Sequence, residues 1–234
     1  MKISIHQPQY FPWPPYVHKV MSADIFVYLD TVQFSKNGVQ NRNQIKTSSQ
    51  AQWLTIAVKH ELGRSIRDTP LADVNATVKH WKTLQANYAR TPGFQRWKDE
   101  LHGLLTHGYR TLDEVAIAST EWMIDKLGIS NKRVRASEIR GTHGRASELV
   151  ASICKALDGT SYLTGTGALA YLQAEDFKRI DCKVLVQRWQ PFTYQQPHGD
   201  FTPDLSTLDL LLNDPDKAAE LIAGAGSWEA RGNV

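Results

Sequence analysis

The opening of the chain admits few folds. Two apolar runs, Lys2 to His6 (KISIH) and Asp24 to Leu29 (DIFVYL), have the length and composition of buried strands. Between them Pro15 to Ala23 can hold about two helical turns, with proline tolerated at the first turn. Strand, short helix and strand in this order predict a parallel pair, since parallel neighbours need a crossover and a helix supplies it. The same alternation returns later as a predicted strand at Arg133 to Ile139, helix at Ser147 to Leu157, strand at Ser161 to Leu163, helix at Ala168 to Lys178 and strand at Lys183 to Trp189. The expected class is therefore α/β, a Rossmann-like parallel sheet with helices on both faces.

The remainder is read around that frame. Gln52 to Val58 (QWLTIAV) predicts a third strand, preceded by a polar stretch from Gln33 to Gln50 that is too long for a tight turn and suits a functional loop. A helical insertion spans about residues 76–128, where Val78, Trp81, Leu84 and Tyr88, then Phe94, Trp97, Leu101 and Leu104, then Leu112, Val115, Ser119, Trp122 and Leu127 recur at helical spacing. Their tryptophans read as core anchors. Pro92-Gly93 and Gly128 mark its joints. The tail, about 190–234, is rich in proline, aromatics and aspartate and carries one LDLLL run, which predicts a segment packed back over a single domain of residues 1–234.

Composition narrows the function classes. With 234 residues and 41% hydrophobic content the chain can bury a proper core. Its net charge of +3 is too small to argue for nucleic acid but suits an anionic small molecule. No window has the run of roughly 18 apolar residues that a membrane span needs, and the chain enters its first strand directly, so a cytoplasmic location is expected. Cys154 lies on an apolar helical stripe and Cys182 just before a strand; both read as core thiols.

Ligands of open parallel sheets bind beyond the carboxyl ends of the strands. Three stretches fall there: His6-Gln7-Pro8-Gln9-Tyr10, Asp30-Thr31-Val32-Gln33-Phe34 and Thr164-Gly165-Thr166-Gly167. The last reads G-x-G-x-x-A, and either cradles a phosphate or makes a plain strand-to-helix turn; it comes too late, and lacks the following acid, for a dinucleotide fingerprint. His6 could donate to a phosphate, shuttle a proton or serve as hydrogen-bonded scaffolding, and Lys19 joins it only if the first helix folds back over the strand end. Lys36, Asn41, Arg42, Asn43 and Lys46 share one stretch without acids, which either grips an anion or forms a solvated hairpin around Asn37-Gly38. No H-x-x-x-H, C-x-x-C, G-x-S-x-G or G-x-x-x-x-G-K-[ST] pattern occurs, so no protein metal site is expected, although magnesium carried by the phosphates of ATP would leave little trace.

Several of these pieces, IHQPQYFPW with Tyr16 and Lys19, ADIFVYLDTVQFSKNGVQNRNQIK, WLTIAV, SYLTGTGALAYL and FTYQQPHGDFTPDLSTLDLLLN, occur in an order that resembles the WbqC-like family across nearly the whole chain. The family pattern has a Gly before Tyr16, where this chain has Pro14-Pro15, and usually another where it has Asn213-Asp214-Pro215. The resemblance implies a role in O-antigen or other surface polysaccharide biosynthesis. The opening is also similar to pantothenate synthetases and their nucleotidylyltransferase relatives, which use ATP to activate a carboxylate and pass the acyl group to an amine; the paired His of their signature has no counterpart here. Together these imply a transferase or ligase that adds an acyl or aminoacyl group to a nucleotide-linked amino sugar. In that reading His6 acts as base, Lys19, Lys36 and Arg42 hold phosphate or oxyanion, and Asp30 holds a hydroxyl, amine or ribose. Gln7, Tyr10, Tyr16, Gln33, Asn41, Asn43, Gly165, Gly167 and Tyr194 contact substrate. The alternative is a non-catalytic nucleotide- or carbohydrate-binding module, with Tyr10, Trp13, Tyr16 and Tyr194 stacking on rings.

Overall fold

The structure, a computed structural model, describes residues 1–36 and 38–231. Its elements in chain order are β1 (Lys2–His6), α1 (Pro14–Ser22), β2 (Ile25–Tyr28), β3 (Arg42–Lys46), β4 (Ala51–Thr55), α2 (Ala76–Tyr88), α3 (Pro92–Thr106) and α4 (Leu112–Lys126). There follow β5 (Lys132–Arg135), α5 (Ala146–Ala156), β6 (Ser161–Thr164), α6 (Ala174–Lys178), β7 (Lys183–Trp189), α7 (Thr207–Asn213), α8 (Ala218–Ala225) and β8 (Gly226–Ala230).

The main sheet runs β5-β2-β1-β6-β7-β8, with the first five strands parallel and β8 antiparallel at the edge. Counted among the parallel strands alone, the order is 3-2-1-4-5, so the winding reverses between β1 and β6. Side chains alternate across this sheet as the strand period requires. Ile3, Ile5, Ile25 and Val27 pack with Val150, Ile153 and Cys154 of α5, whereas Phe26 and Tyr28 turn the other way, to Tyr16 and Val20 of α1 and Ile124 of α4. Both cysteines are free and buried.

A second hydrophobic core is built from α2, α3, α4, α7, α8 and the β3–β4 hairpin, with Tyr10 and Phe11 entering it from the loop after β1. Trp81 stacks on Phe94 at 5.4 Å between ring centres, and Trp97 meets Trp122 edge-on at 6.0 Å, as core anchors.

Four expectations need correction. The strand predicted at Gln52 to Val58 does not join the main sheet; β4 pairs antiparallel with β3, inside the stretch expected to be loop. In β3 the buried positions are Asn43, Ile45 and Lys46, so its alternation is carried by one apolar residue alone and was invisible as hydrophobic periodicity. The strand from Arg133 stops at Arg135 and turns into a 3-10 segment at Ala136–Glu138, because Ser137 donates to Asp30 from both its backbone N–H and its hydroxyl. The helix predicted over Ala168 to Lys178 is a 3-10 turn at Thr166–Ala168 followed by the five-residue α6. The tail does pack back over the chain, but through two helices and an added sheet edge, β8. Residues 232–234 of that tail, and Asn37 of the expected hairpin, lie outside the described residues.

Candidate functional site

The reversal between β1 and β6 leaves a crevice at the carboxyl ends of both strands. His6 ends β1 and Thr164 ends β6, so the loops carrying Gln7 and Gly165 start side by side. α1 covers one side. Its last turn carries Lys19, and since helical side chains lean toward the helix N-terminus, the lysine reaches back to the sheet rim instead of away from it.

Two connected cavities occupy this place. The outer, about 820 Å³, is lined by Trp13, Trp53 and Trp189, by Gln9, Asn43 and Gln44, and by Gln187, Arg188 and Asp204 among others. The inner, about 230 Å³, lies toward α5. His6, Lys19, Gly165 and Gly167 line both.

The electrostatics of the junction follow from burial. Lys19 is almost wholly buried, and among the described residues no carboxylate lies within 4 Å of its ammonium. Desolvation pushes its pKa down to about 8, and the ammonium sits 5.9 Å from the centre of the Tyr16 ring. His6 is held down to about 3, first by burial and then by the Lys19 charge, so it is neutral at physiological pH. Its Nδ1 lies 3.1 Å from the Gln7 carbonyl oxygen. Because a carbonyl only accepts, the proton is on Nδ1 and Nε2 keeps a free lone pair.

A further polar group points to an absent partner. Gln9 is 3% exposed and lines the outer cavity, yet its Oε1 has no hydrogen-bond donor among the described residues. Buried acceptors are normally satisfied, so this oxygen is available to accept an N–H or O–H from water or a ligand in the cavity.

The tail shapes the outer wall. Ser206 donates its backbone N–H to the Gln44 carbonyl at 2.9 Å and its hydroxyl to the Phe11 carbonyl at 2.6 Å, while Thr207 N–H reaches the Pro12 carbonyl at 2.9 Å. Below them Asp209 is fully buried and accepts from Tyr88, from Tyr194 at 2.7 Å, from Gln196 at 3.1 Å, from Asn213 at 3.2 Å and from the Lys46 backbone at 3.3 Å. This carboxylate ties α2, β3 and the tail into one wall.

Of the residues expected at the site, the structure brings together His6, Lys19, Gly165, Gly167, Gln7 in the inner cavity and Asn43 in the outer one. The rest are elsewhere. Tyr10 is 0% exposed and its hydroxyl meets His80 Nδ1 at 2.9 Å, and Tyr16 is equally buried between His6 and Phe26, so neither offers a free ring face. Asp30 is enclosed by Ser137 and faces Arg135 at 3.7 Å, away from the cleft. Gln33 and Lys36 are exposed outside it. Asn41 donates to the Ile56 carbonyl at 2.8 Å, and Tyr194 is committed to Asp209. Arg42 lies over the Trp53 ring at 4.5 Å, and Trp53 lines the outer cavity. The lining residues that sequence reasoning missed are Gln9, Gln44, Trp53, Gln187, Arg188 and Trp189. Gln9, Gln44 and Trp53 stood in motifs already singled out, but the β7 end that brings Gln187, Arg188 and Trp189 in is not a local property.

A mostly parallel open sheet with a polar, aromatic-walled cleft at its reversal point defines an α/β protein of Rossmann-like fold. Among its described residues no helix is long and apolar enough to cross a membrane, and no group of three or more His, Cys, Asp or Glu gathers to hold a metal ion. The chain belongs to the WbqC-like protein family, whose pattern matches residues 7–221. It is 29% identical over 216 residues to the uncharacterized protein Rv1507c of Mycobacterium tuberculosis (strain ATCC 25618 / H37Rv), an alignment covering 91% of this chain and 93% of that one. No solved structure matches it.

Proposed function

We propose that this protein transfers an acyl or aminoacyl group to the amine of a nucleotide-linked amino sugar, as a step in making a surface polysaccharide. The observation that carries the reading is Lys19: a buried ammonium without a carboxylate partner among the described residues, beside a neutral imidazole, at the β1/β6 reversal. A buried charge of this kind is costly unless a bound anion answers it. The outer cavity, about 820 Å³, falls in the range of about 300–1,000 Å³ typical of small-molecule sites. Its tryptophans suit a base or sugar ring, and Lys19 and Arg188 suit phosphates.

In this reading the amine nitrogen attacks the carbonyl carbon of an activated acyl group, the bond to the leaving group breaks, and that group departs with the bonding electrons. Lys19 faces the negative charge that builds on the carbonyl oxygen or leaving phosphate. His6 Nε2 takes the proton the amine releases, and Gln9 Oε1 accepts another N–H of that amine and so orients it. Burial is the larger cause of the low His6 pKa; an anion bound at Lys19 offsets the smaller contribution of the lysine charge and to that extent makes the imidazole a better base. Where ATP supplies the activation, the same two cations serve its phosphates.

The test is incubation of the purified chain with nucleotide-linked amino sugars and activated acyl donors, read by mass spectrometry. A product heavier by the acyl group, lost in His6→Gln and Lys19→Met, supports the reading; full turnover in both variants overturns it. The exposed faces of Trp13 and Trp53 favour a second reading, a nucleotide- or carbohydrate-binding module. That reading predicts thermal stabilisation by a nucleotide sugar that is recovered unchanged.

A further inference from the structure

The two cavities that meet at His6 and Lys19 differ in kind. The outer is wide, and its walls mix tryptophan with amides, Arg188 and Asp204. The inner is lined by Ile5, Leu29, Val150, Tyr162, Ala168 and Tyr171, with Gln7 and Thr164 as its further polar residues. At about 230 Å³ the inner cavity is below the range of about 300–1,000 Å³ that drug-sized ligands occupy, so a nucleotide does not fit there. A small acyl chain does.

Resting on the acyl-transfer reading above, we propose that the inner cavity seats the acyl group, and that this group derives from a short alkyl carboxylic acid and not from an α-amino acid. Charge decides between the two. Among the described residues Lys19 is the one charged side chain that lines the inner cavity, and no Asp or Glu does. A carboxylate entering it meets an ammonium, and its hydrocarbon body meets Ile5, Leu29 and Val150. The α-ammonium of an amino acid would meet the same positive charge and no carboxylate. Gln7 sharpens the distinction, because its Oε1 already accepts from Gln40 Nε2 at 2.7 Å, which leaves the amide's donor end for the cavity.

Isovalerate and valine share an isopropyl body and differ at the α-ammonium, so they make the probe pair. Their affinities for the full chain are measured by ligand-observed NMR, with UDP as the probe of the outer cavity. We expect isovalerate to bind at least about tenfold more tightly than valine, with Lys19→Met removing most of its affinity. Ala168→Leu, at the partly exposed rim, should weaken isovalerate by about tenfold and change UDP affinity by less than about twofold. Val150→Phe fills the cavity from α5 and should act alike; retained UDP binding shows that either variant is folded. Valine binding as tightly as isovalerate, isovalerate binding unaffected by both filling variants, or no isovalerate binding at all would each overturn the proposal. Its failure is separable from that of the acyl-transfer reading. Transfer to an amino sugar that needs His6 and Lys19, in a chain that ignores isovalerate, sinks only the present inference; isovalerate binding as described, with transfer intact in His6→Gln and Lys19→Met, sinks only the other.

Discussion

Lys19 and Gly165 meet across the junction of β1 and β6: a β-carbon at residue 165 would stand 3.5 Å from the Lys19 ammonium nitrogen. Gly165 is extended, with φ −90°, so its glycine is not required by backbone angle. What it provides is an open approach to the charge. Of the two readings of this turn, a phosphate cradle or a plain strand-to-helix turn, the second fits better, since it opens a single 3-10 turn and no long helix whose N-terminus could bind an anion; the cation beside it is the Lys19 side chain.

Anion affinity should follow the protonation of Lys19. Lys19→Met is expected to weaken nucleotide-sugar binding by roughly 1.5–3 kcal/mol, the worth of a charge-assisted hydrogen bond. In the wild-type chain the dissociation constant should rise as pH passes about 8, where the free ammonium loses its proton. Calorimetric titration across pH 7 to 10 checks both, and a flat profile in the wild type would contradict the assignment.

The same lysine should leave a signature in stability. Its folded pKa of about 8 is below the 10.5 of the unfolded chain, so between those values the unfolded state binds more protons and stability rises with pH. The depressed pKa is a cost on the order of 3 kcal/mol while the amine is charged in both states. Lys19→Met is therefore expected to be more stable than wild type at pH 7, with the difference shrinking above pH 8. Urea unfolding of the two proteins at matched pH measures it.

His6 acts on the acid side. Its folded pKa of about 3 is below its unfolded 6.5, so the stability it confers is complete above pH 6.5 and is lost progressively as pH falls toward 3. His80, held down to about 4 beside Tyr10, contributes in the same window. The stability of His6→Gln should consequently fall less steeply than that of wild type between pH 6.5 and 4 in thermal melts.

Trp53 is 44% exposed on the outer wall, with Arg42 stacked on it. If it carries a base, Trp53→Ala should cost about 1–3 kcal/mol in nucleotide affinity, the usual worth of one base-aromatic stack, with no change in melting temperature beyond a few degrees. Fluorescence titration with UDP and its sugar conjugates reads this directly.

Asp209 should matter for folding. Asp209→Leu strands four side-chain donors and the Lys46 backbone in the core, and a loss of about 3–5 kcal/mol is expected from breaking a buried charged network. Urea unfolding checks the loss. Tyr194→Phe removes one donor only and should cost about 1 kcal/mol.

How much of this was legible beforehand varies by element. β1, α1, β7 and α2 to α4 could be read because each has an apolar stripe of its own, and the rim where the candidate cleft lies could be read because β1 ends at His6 and β6 ends just before Gly165. Gln7 and Tyr10, three positions apart in the same polar motif, were assigned alike but sit in different places: Gln7 faces a cavity, while Tyr10 is drawn into the second core by Phe11, His80 and the hairpin. Asp30 was expected at the site for its place after β2, and it is turned inward by Ser137, over a hundred residues away.

The sequence by itself determined the α/β class, the parallel pairing of the first strands and the strand ends that rim the cleft, because these depend on periodicities and on short-range sterics. Only the tertiary structure decided which polar groups reach that site. A side chain such as Lys19, Gln9 or Trp53 is placed by the packing of separate segments against one another, and burial and pairing with distant partners set its charge state and its freedom to bind.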